Sequence, residues 1–135
     1  MEKPDDTSRK MLATAAGELT SMRSETEQWA DVEKYSAIFD KADPDNKSGL
    51  GEEVVFARTF AAFLGGKDAS LALKTIREGE KRYAESERMD RMMFLEASIL
   101  HEKGEHEAGV AIWKKVAEKY PDSEWGKRAK RALER

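Results

Sequence analysis

The sequence predicts an all-α protein, a row of helix hairpins stacked as a short solenoid. Three observations carry this expectation. Apolar residues recur at helical spacing, and alternating β-type patterns are absent. The three prolines, Pro4, Pro44 and Pro121, all fall where turns belong, so none interrupts a periodic segment. The chain also nearly repeats itself. "GEKRYAESERM" at 79–89 and "AEKYPDSEW" at 117–125 set Tyr83 and Tyr120, and likewise Ser86 and Ser123, 37 positions apart. Self-similarity at a period in the thirties means stacked helical units, none of which buries its face alone.

The elements follow in order. A first helix is expected over 7–22, with Met11, Leu12, Ala15, Leu19 and Met22 on one face. A second, over 26–42, carries Trp29, Val32, Tyr35 and Phe39 in a stripe. The third, 52–64, is apolar on most sides through Val54, Val55, Phe56, Phe60 and Phe63. The fourth spans 69–83 and the fifth 87–103; the sixth, 107–120, follows Gly104. A short basic seventh helix over 123–134 has Ser123 or Asp122 as its N-cap. Short loops between partners make consecutive helices antiparallel.

The two echoes align position by position. Gly109, Trp113, Val116, Tyr120, Pro121 and Ser123 fall on Ala72, Ile76, Gly79, Tyr83, Ala84 and Ser86. Small residues recur where two helices must approach closely, and large apolar residues four positions later on the same face. On these residues the chain resembles the tetratricopeptide repeat, whose pattern is W-x2-L-G-x2-Y…A-x3-F…P. In the last copy Met93, Glu96, Ala97, Leu100, Gly109, Trp113 and Pro121 take those places. Glu96 departs from the pattern by putting a charge where the family has leucine. The middle copy has Ala84 for the proline, and a first copy fits only in its second helix, ending at "DPDN". "YPDS" before an aromatic and an Ala-rich helix looks like the repeats of bacterial cell-envelope proteins, the Tol–Pal coordinator and outer-membrane assembly lipoprotein types. That likeness implies a right-handed solenoid of about three hairpins plus a capping helix, a periplasmic or envelope-associated location, and a role in binding proteins. A cytoplasmic location stays open.

Composition narrows the function classes. Of 135 residues, 38% are charged, 24 basic against 27 acidic, and the net charge of −3 argues against general nucleic-acid affinity. Residues 1–70 sum to −5 and residues 71–135 to +2, a mild asymmetry. Without cysteine there is neither a disulfide frame nor thiolate chemistry. Apolar runs such as "FAAFL" are too short to span a bilayer, and "MEKPDDTSRK" lacks the apolar core of a signal peptide. Peripheral membrane association stays open.

Candidate chemistry is sparse. "DPDNKSGLGEE" has the look of an EF-hand loop, with Asp43, Asp45 and Leu50 at positions 1, 3 and 8. Lys47 at position 5, Ser48 at 6 and Val54 at 12 spoil it, so a helix-capping turn is expected instead. His101 and His106 are five apart across a helix end and do not share a helical face. No metal and no cofactor is expected. Paired carboxylates, as in "HEKGEHE", read as solvated faces, and no phosphate loop or nucleophile elbow occurs, so no enzyme is expected. Lys127, Arg128, Lys130, Arg131 and Arg135 make the last helix basic, either a soluble cap or a patch for acidic ligands, nucleic acid or headgroups.

The expected organisation is a flexible segment 1–7 and one domain over 8–135, with hairpins 8–43, 52–84 and 87–121 and a capping helix 123–134. In the tetratricopeptide family the first helices of stacked hairpins line a groove that holds peptides. Carried onto this chain, the groove positions are Arg91, Phe94, Ser98 and His101 in the last copy. In the middle copy they are Glu53, Phe56, Phe60 and Phe63 if Gly66 sets the register; if Ala84 sets it, those phenylalanines are core. The expected partner is a protein or peptide, with a homodimer through the apolar third helix as the alternative.

Overall fold

A computed structural model describes residues 6–135. Its described residues form helices and turns, with no strand. The order is α1 (Asp6–Glu25), α2 (Trp29–Ala42), α3 (Gly51–Phe60) ending in a π turn (Ala61–Gly65), α4 (Ala69–Arg82), α5 (Met89–Lys103), α6 (His106–Lys119) and α7 (Glu124–Leu133). Residues 1–5 of the segment expected to be flexible lie outside the described residues, while Asp6 and Thr7 already belong to α1. The chain divides into two compact units after Lys67. That boundary falls within the span 52–84, so α3 belongs to the first unit and α4 to the second.

In the first unit α2 folds back on α1, and α3 packs on both. The face α1 buries differs from the expected one. Ala13, Ala16, Gly17 and Thr20 point inward, while Met11, Leu12 and Met22 stand 68%, 50% and 59% exposed. The reason is distance. A Cβ on Gly17 would lie 2.8 Å from Leu50 Cδ1 and 3.2 Å from Phe39, so only a small-residue seam admits this approach. The bulkier Met and Leu stripe is turned outward. Ala16, Phe39 and Val54 form one apolar cluster, and Val32, Ala57 and Ala61 a second that holds Trp29. Apolar spacing predicts that the third helix stays α-helical to Leu64. Instead the Gly66 amide donates to the Ala61 carbonyl at 2.8 Å, a five-residue step that widens the last turn.

The second unit begins at Asp68, whose carboxylate caps α4 by accepting from the Leu71 amide at 3.0 Å. α5 ends at Gly104, whose φ of +99° is the left-handed cap that glycine adopts without penalty. α6 then returns along α5, at closest approach where Gly109 meets Ala97. A Cβ on Gly109 would lie 2.8 Å from the Ala97 carbonyl oxygen. These are the two small positions the repeat pattern singled out. Their contact seats Trp113, 9% exposed, against Ala97, Val116 and Ala129. Of the two candidates for the last N-cap, Ser123 does the capping, its Oγ accepting from the Gly126 amide at 2.9 Å.

Trp113 joins α5, α6 and α7 in one cluster, so truncating it removes the centre of that packing. Trp113→Ala is expected to cost about 3–5 kcal/mol. Denaturant melts followed by circular dichroism measure this; a loss below roughly 1 kcal/mol, within the range of ordinary surface changes, would contradict the packing described.

Candidate functional site

Between α5, α6 and α7 the second unit forms a half-open cavity of about 720 Å3. Each wall follows from helical spacing. α5 contributes Phe94, Ser98 and His101, spaced four and three apart and so on one face. Val110 and Trp113 of α6, three apart, form the facing wall. α7 contributes Arg128, Arg131, Ala132 and Leu133, and Arg135 lines the cavity from just past its end. The volume lies within the range of ligand pockets, about 300–1,000 Å3.

Aromatic rings run through the site in file. Trp125 of α7 lies 5.3 Å from Phe94, Phe94 lies 6.2 Å from Trp113, and Trp113 lies 5.3 Å from His101, centroid to centroid. His101 then meets His106 edge-on at 4.3 Å. The reading of these histidines as lying on separate faces holds for one continuous helix. The turn at Gly104 carries His106 onto α6 and brings the rings together. Two guanidinium groups cover Trp125, Arg128 at 4.5 Å and Arg91 at 5.5 Å. Arg128 also donates to Glu124 at 2.6 Å. No ion pair joins Arg131 or Arg135 to another described residue. The Trp113 indole Nε1–H is buried with no acceptor among the described residues.

Three of the four groove positions in the last repeat, Phe94, Ser98 and His101, therefore line one cavity. Arg91 stands beside it, over Trp125. The other four belong to the first unit. Phe60 and Phe63 are half-buried and Glu53 is partly exposed, but Phe56, at 4% exposure, is a core residue with almost no surface for a partner. Sequence reasoning treats the basic last helix as an alternative to the groove. In the structure both belong to the same cavity, a juxtaposition that helical spacing within one segment cannot reveal.

A buried carboxyl pair lies between α4 and α5. Glu96, 8% exposed, accepts from Arg77 Nε at 2.9 Å and hydrogen-bonds Glu80. Two carboxyl groups sharing a hydrogen bond need a proton on one of them. Burial, then the Glu96 hydrogen bond and its charge, push Glu80 up to about 8, with Arg77 opposing. The charge at the family's leucine position is thus paired with one neighbour and bonded to another, neutral one.

In the first unit the loop 43–51 turns its polar groups on its own backbone. Asp43, 4% exposed, accepts from the amides of Lys47 at 2.7 Å and Ser48 at 2.9 Å, and from the Ser48 hydroxyl. Asn46 Oδ1 accepts from the Gly51 amide at 2.8 Å, holding the start of α3. Burial acts to raise the Asp43 pKa, but the Ser48 and Lys47 hydrogen bonds and the Lys47 charge outweigh it and hold the carboxyl below its ordinary value. Among the described residues no three His, Asp or Glu side chains gather as a metal would require. No described helix is long and apolar enough to cross a membrane. In comparisons with known proteins the chain matches no family model, no curated protein and no solved structure.

Two outcomes follow from these groups. Millimolar calcium is expected to leave the melting temperature unchanged, because both Asp43 oxygens already accept backbone amides; a chelator-reversible rise would contradict this. Glu80 gives a pH dependence whose sign is set by its raised pKa. The stability it contributes is full below the ordinary glutamate value of 4.5 and is lost as pH rises through about 8. Glu80→Gln, which keeps a neutral hydrogen-bonding group, should melt higher than the parent at pH 9, with the gap closing towards pH 5. Thermal melts across that range check it, and a gap that does not change with pH would mean Glu80 is already ionised in the folded protein.

Proposed function

We propose that this chain is a tetratricopeptide-like helical module for protein–protein interaction, and that it seats a segment of a partner protein in the α5–α6–α7 cavity. The observation that carries the reading is the cavity itself. It offers about 720 Å3 with an aromatic and aliphatic floor, walled on α5 by Phe94, Ser98 and His101. Anchoring side chains of a partner bind in such desolvated pockets, and a few of them dominate the binding energy. The repeat echo and the Ala97–Gly109 approach support hairpins of the tetratricopeptide kind. The "YPDS" turn extends the proposal to a bacterial envelope assembly, with the module peripheral to any membrane.

A second reading has its own observation. Met11, Leu12 and Met22 expose a stripe on α1, and an apolar face of this kind suits a copy of the same chain. Sedimentation of the parent beside Met11→Glu with Met22→Glu decides it; a monomeric parent removes this reading.

The first reading is tested by selecting binders from a displayed random-peptide library and titrating the synthetic peptides into 15N-labelled protein. Perturbed amides are expected at Ser98, His101, Val110 and Trp113. Val110→Glu, at a half-buried wall position, should weaken binding by at least about tenfold, roughly 1.4 kcal/mol, while leaving the circular dichroism intact. Perturbations confined to other surfaces, or an unchanged affinity in a folded Val110→Glu protein, would place the binding surface elsewhere.

A further inference from the structure

The α7 cations do more at this cavity than complement a helix dipole. Arg131 of α7 and Arg135, just past its end, line the same cavity, and neither has an ion-pair partner among the described residues. Two like charges lining one cavity repel each other, so an anion placed between them is favoured. Arg128 is differently engaged, held by Glu124 at 2.6 Å and stacked on Trp125 at 4.5 Å. The lining contains three arginines against one acidic side chain, Glu102. Below these mainly positive groups the floor is largely apolar and adds low dielectric beneath the charges, which strengthens their attraction for an anion. Trp113 forms part of the wall. Trp113 Nε1–H is buried and lacks an acceptor, and a buried donor left unpaired is costly. The arginines ask for carboxylate oxygens on whatever occupies the cavity, which Trp113 also lines.

We infer that the occupant is an internal acidic segment of a partner protein, anchored by one large apolar side chain on the Phe94–Trp113–Leu133 floor, with carboxylates on Arg131 and Arg135. This rests on the interaction-module reading and names the chemistry that reading leaves open. Guanidinium forks pair two-pronged with side-chain carboxylates, so aspartate and glutamate suit this rim better than neutral amides.

The test uses three blocked peptides of equal length, acetylated and amidated so that no free terminus contributes. Each has one central phenylalanine, flanked by glutamates, by glutamines or by lysines. They are titrated into the full 15N-labelled chain at low salt, and the indole N–H resonance of Trp113, assigned with Trp113→Phe, is followed. The glutamate peptide is expected to bind at least about tenfold more tightly than the glutamine peptide and to shift that resonance. The advantage should shrink as salt is added and vanish in the Arg131→Gln, Arg135→Gln double variant. Both substitutions are on exposed positions, so the variant should stay folded, and circular dichroism checks this. If glutamate and glutamine peptides bind equally and both shift Trp113, the cavity is a docking site but the acidic class is wrong. The acidic class is equally wrong if the library-selected peptides occupy the cavity and carry no acid. If the glutamate peptide perturbs only α7 amides and leaves Trp113 unmoved, the attraction is surface charge alone and the anchored mode is overturned. If no peptide, selected or synthetic, perturbs the cavity, both this inference and the module reading fail.

Discussion

The second unit depends on one close contact, the approach of Gly109 to the Ala97 carbonyl. A methyl group on Gly109 would stand 2.8 Å from that oxygen, so the two helices pack at a distance only a glycine allows. Everything near the cavity is set by that spacing. It places Trp113 where α5, α6 and α7 meet, and Trp113 in turn carries Phe94 on one side and His101 on the other. The aromatic file that floors the cavity is thus a consequence of a backbone approach rather than of any aromatic attraction. Ring pairs at these separations contribute about 0.5–1.5 kcal/mol each. The burial of the tryptophan contributes more and fixes where the rings stand.

The α4–α5 contact is held differently. Where the repeat pattern has leucine, Glu96 is buried, paired with Arg77 and hydrogen-bonded to Glu80. Such an arrangement is weak evidence for stability, since desolvation offsets much of the ion-pair attraction. It disfavours other registers, because a shift of α4 by one turn would carry Arg77 and Glu80 together away from Glu96 and leave that carboxylate buried without its partner. A proton on Glu80 makes the arrangement possible near neutral pH, and it makes this contact sensitive to pH.

The first unit uses the same device at another seam. α1 meets its neighbours through Ala13, Ala16, Gly17 and Thr20, and the larger apolar residues are left outside. A helix with apolar residues on two faces poses a choice that hydrophobicity alone does not resolve. Here the smaller face goes inward because Leu50 and Phe39 already fill the space, and a methionine could not fit between them and the α1 backbone.

The sequence by itself determined the class, the seven helical segments and most of their ends. The signals are local: apolar spacing, prolines at turns, a glycine after α5, a serine before α7. It also marked Gly109 and Trp113, which echo Ala72 and Ile76, and Ala97, through the repeat pattern it resembles, as packing positions of the last hairpin. Tertiary structure decided what local signals leave degenerate. It turned the Met11–Met22 stripe outward, buried Phe56, and ended α3 in a π turn. It brought His106 to His101 across the turn at Gly104. It also set Arg131 and Arg135 above Phe94 and Trp113, joining a groove and a basic helix that sequence could only hold as rivals. Side-chain periodicity states which residues share a face; which face meets which is decided by the distance at which backbones can approach.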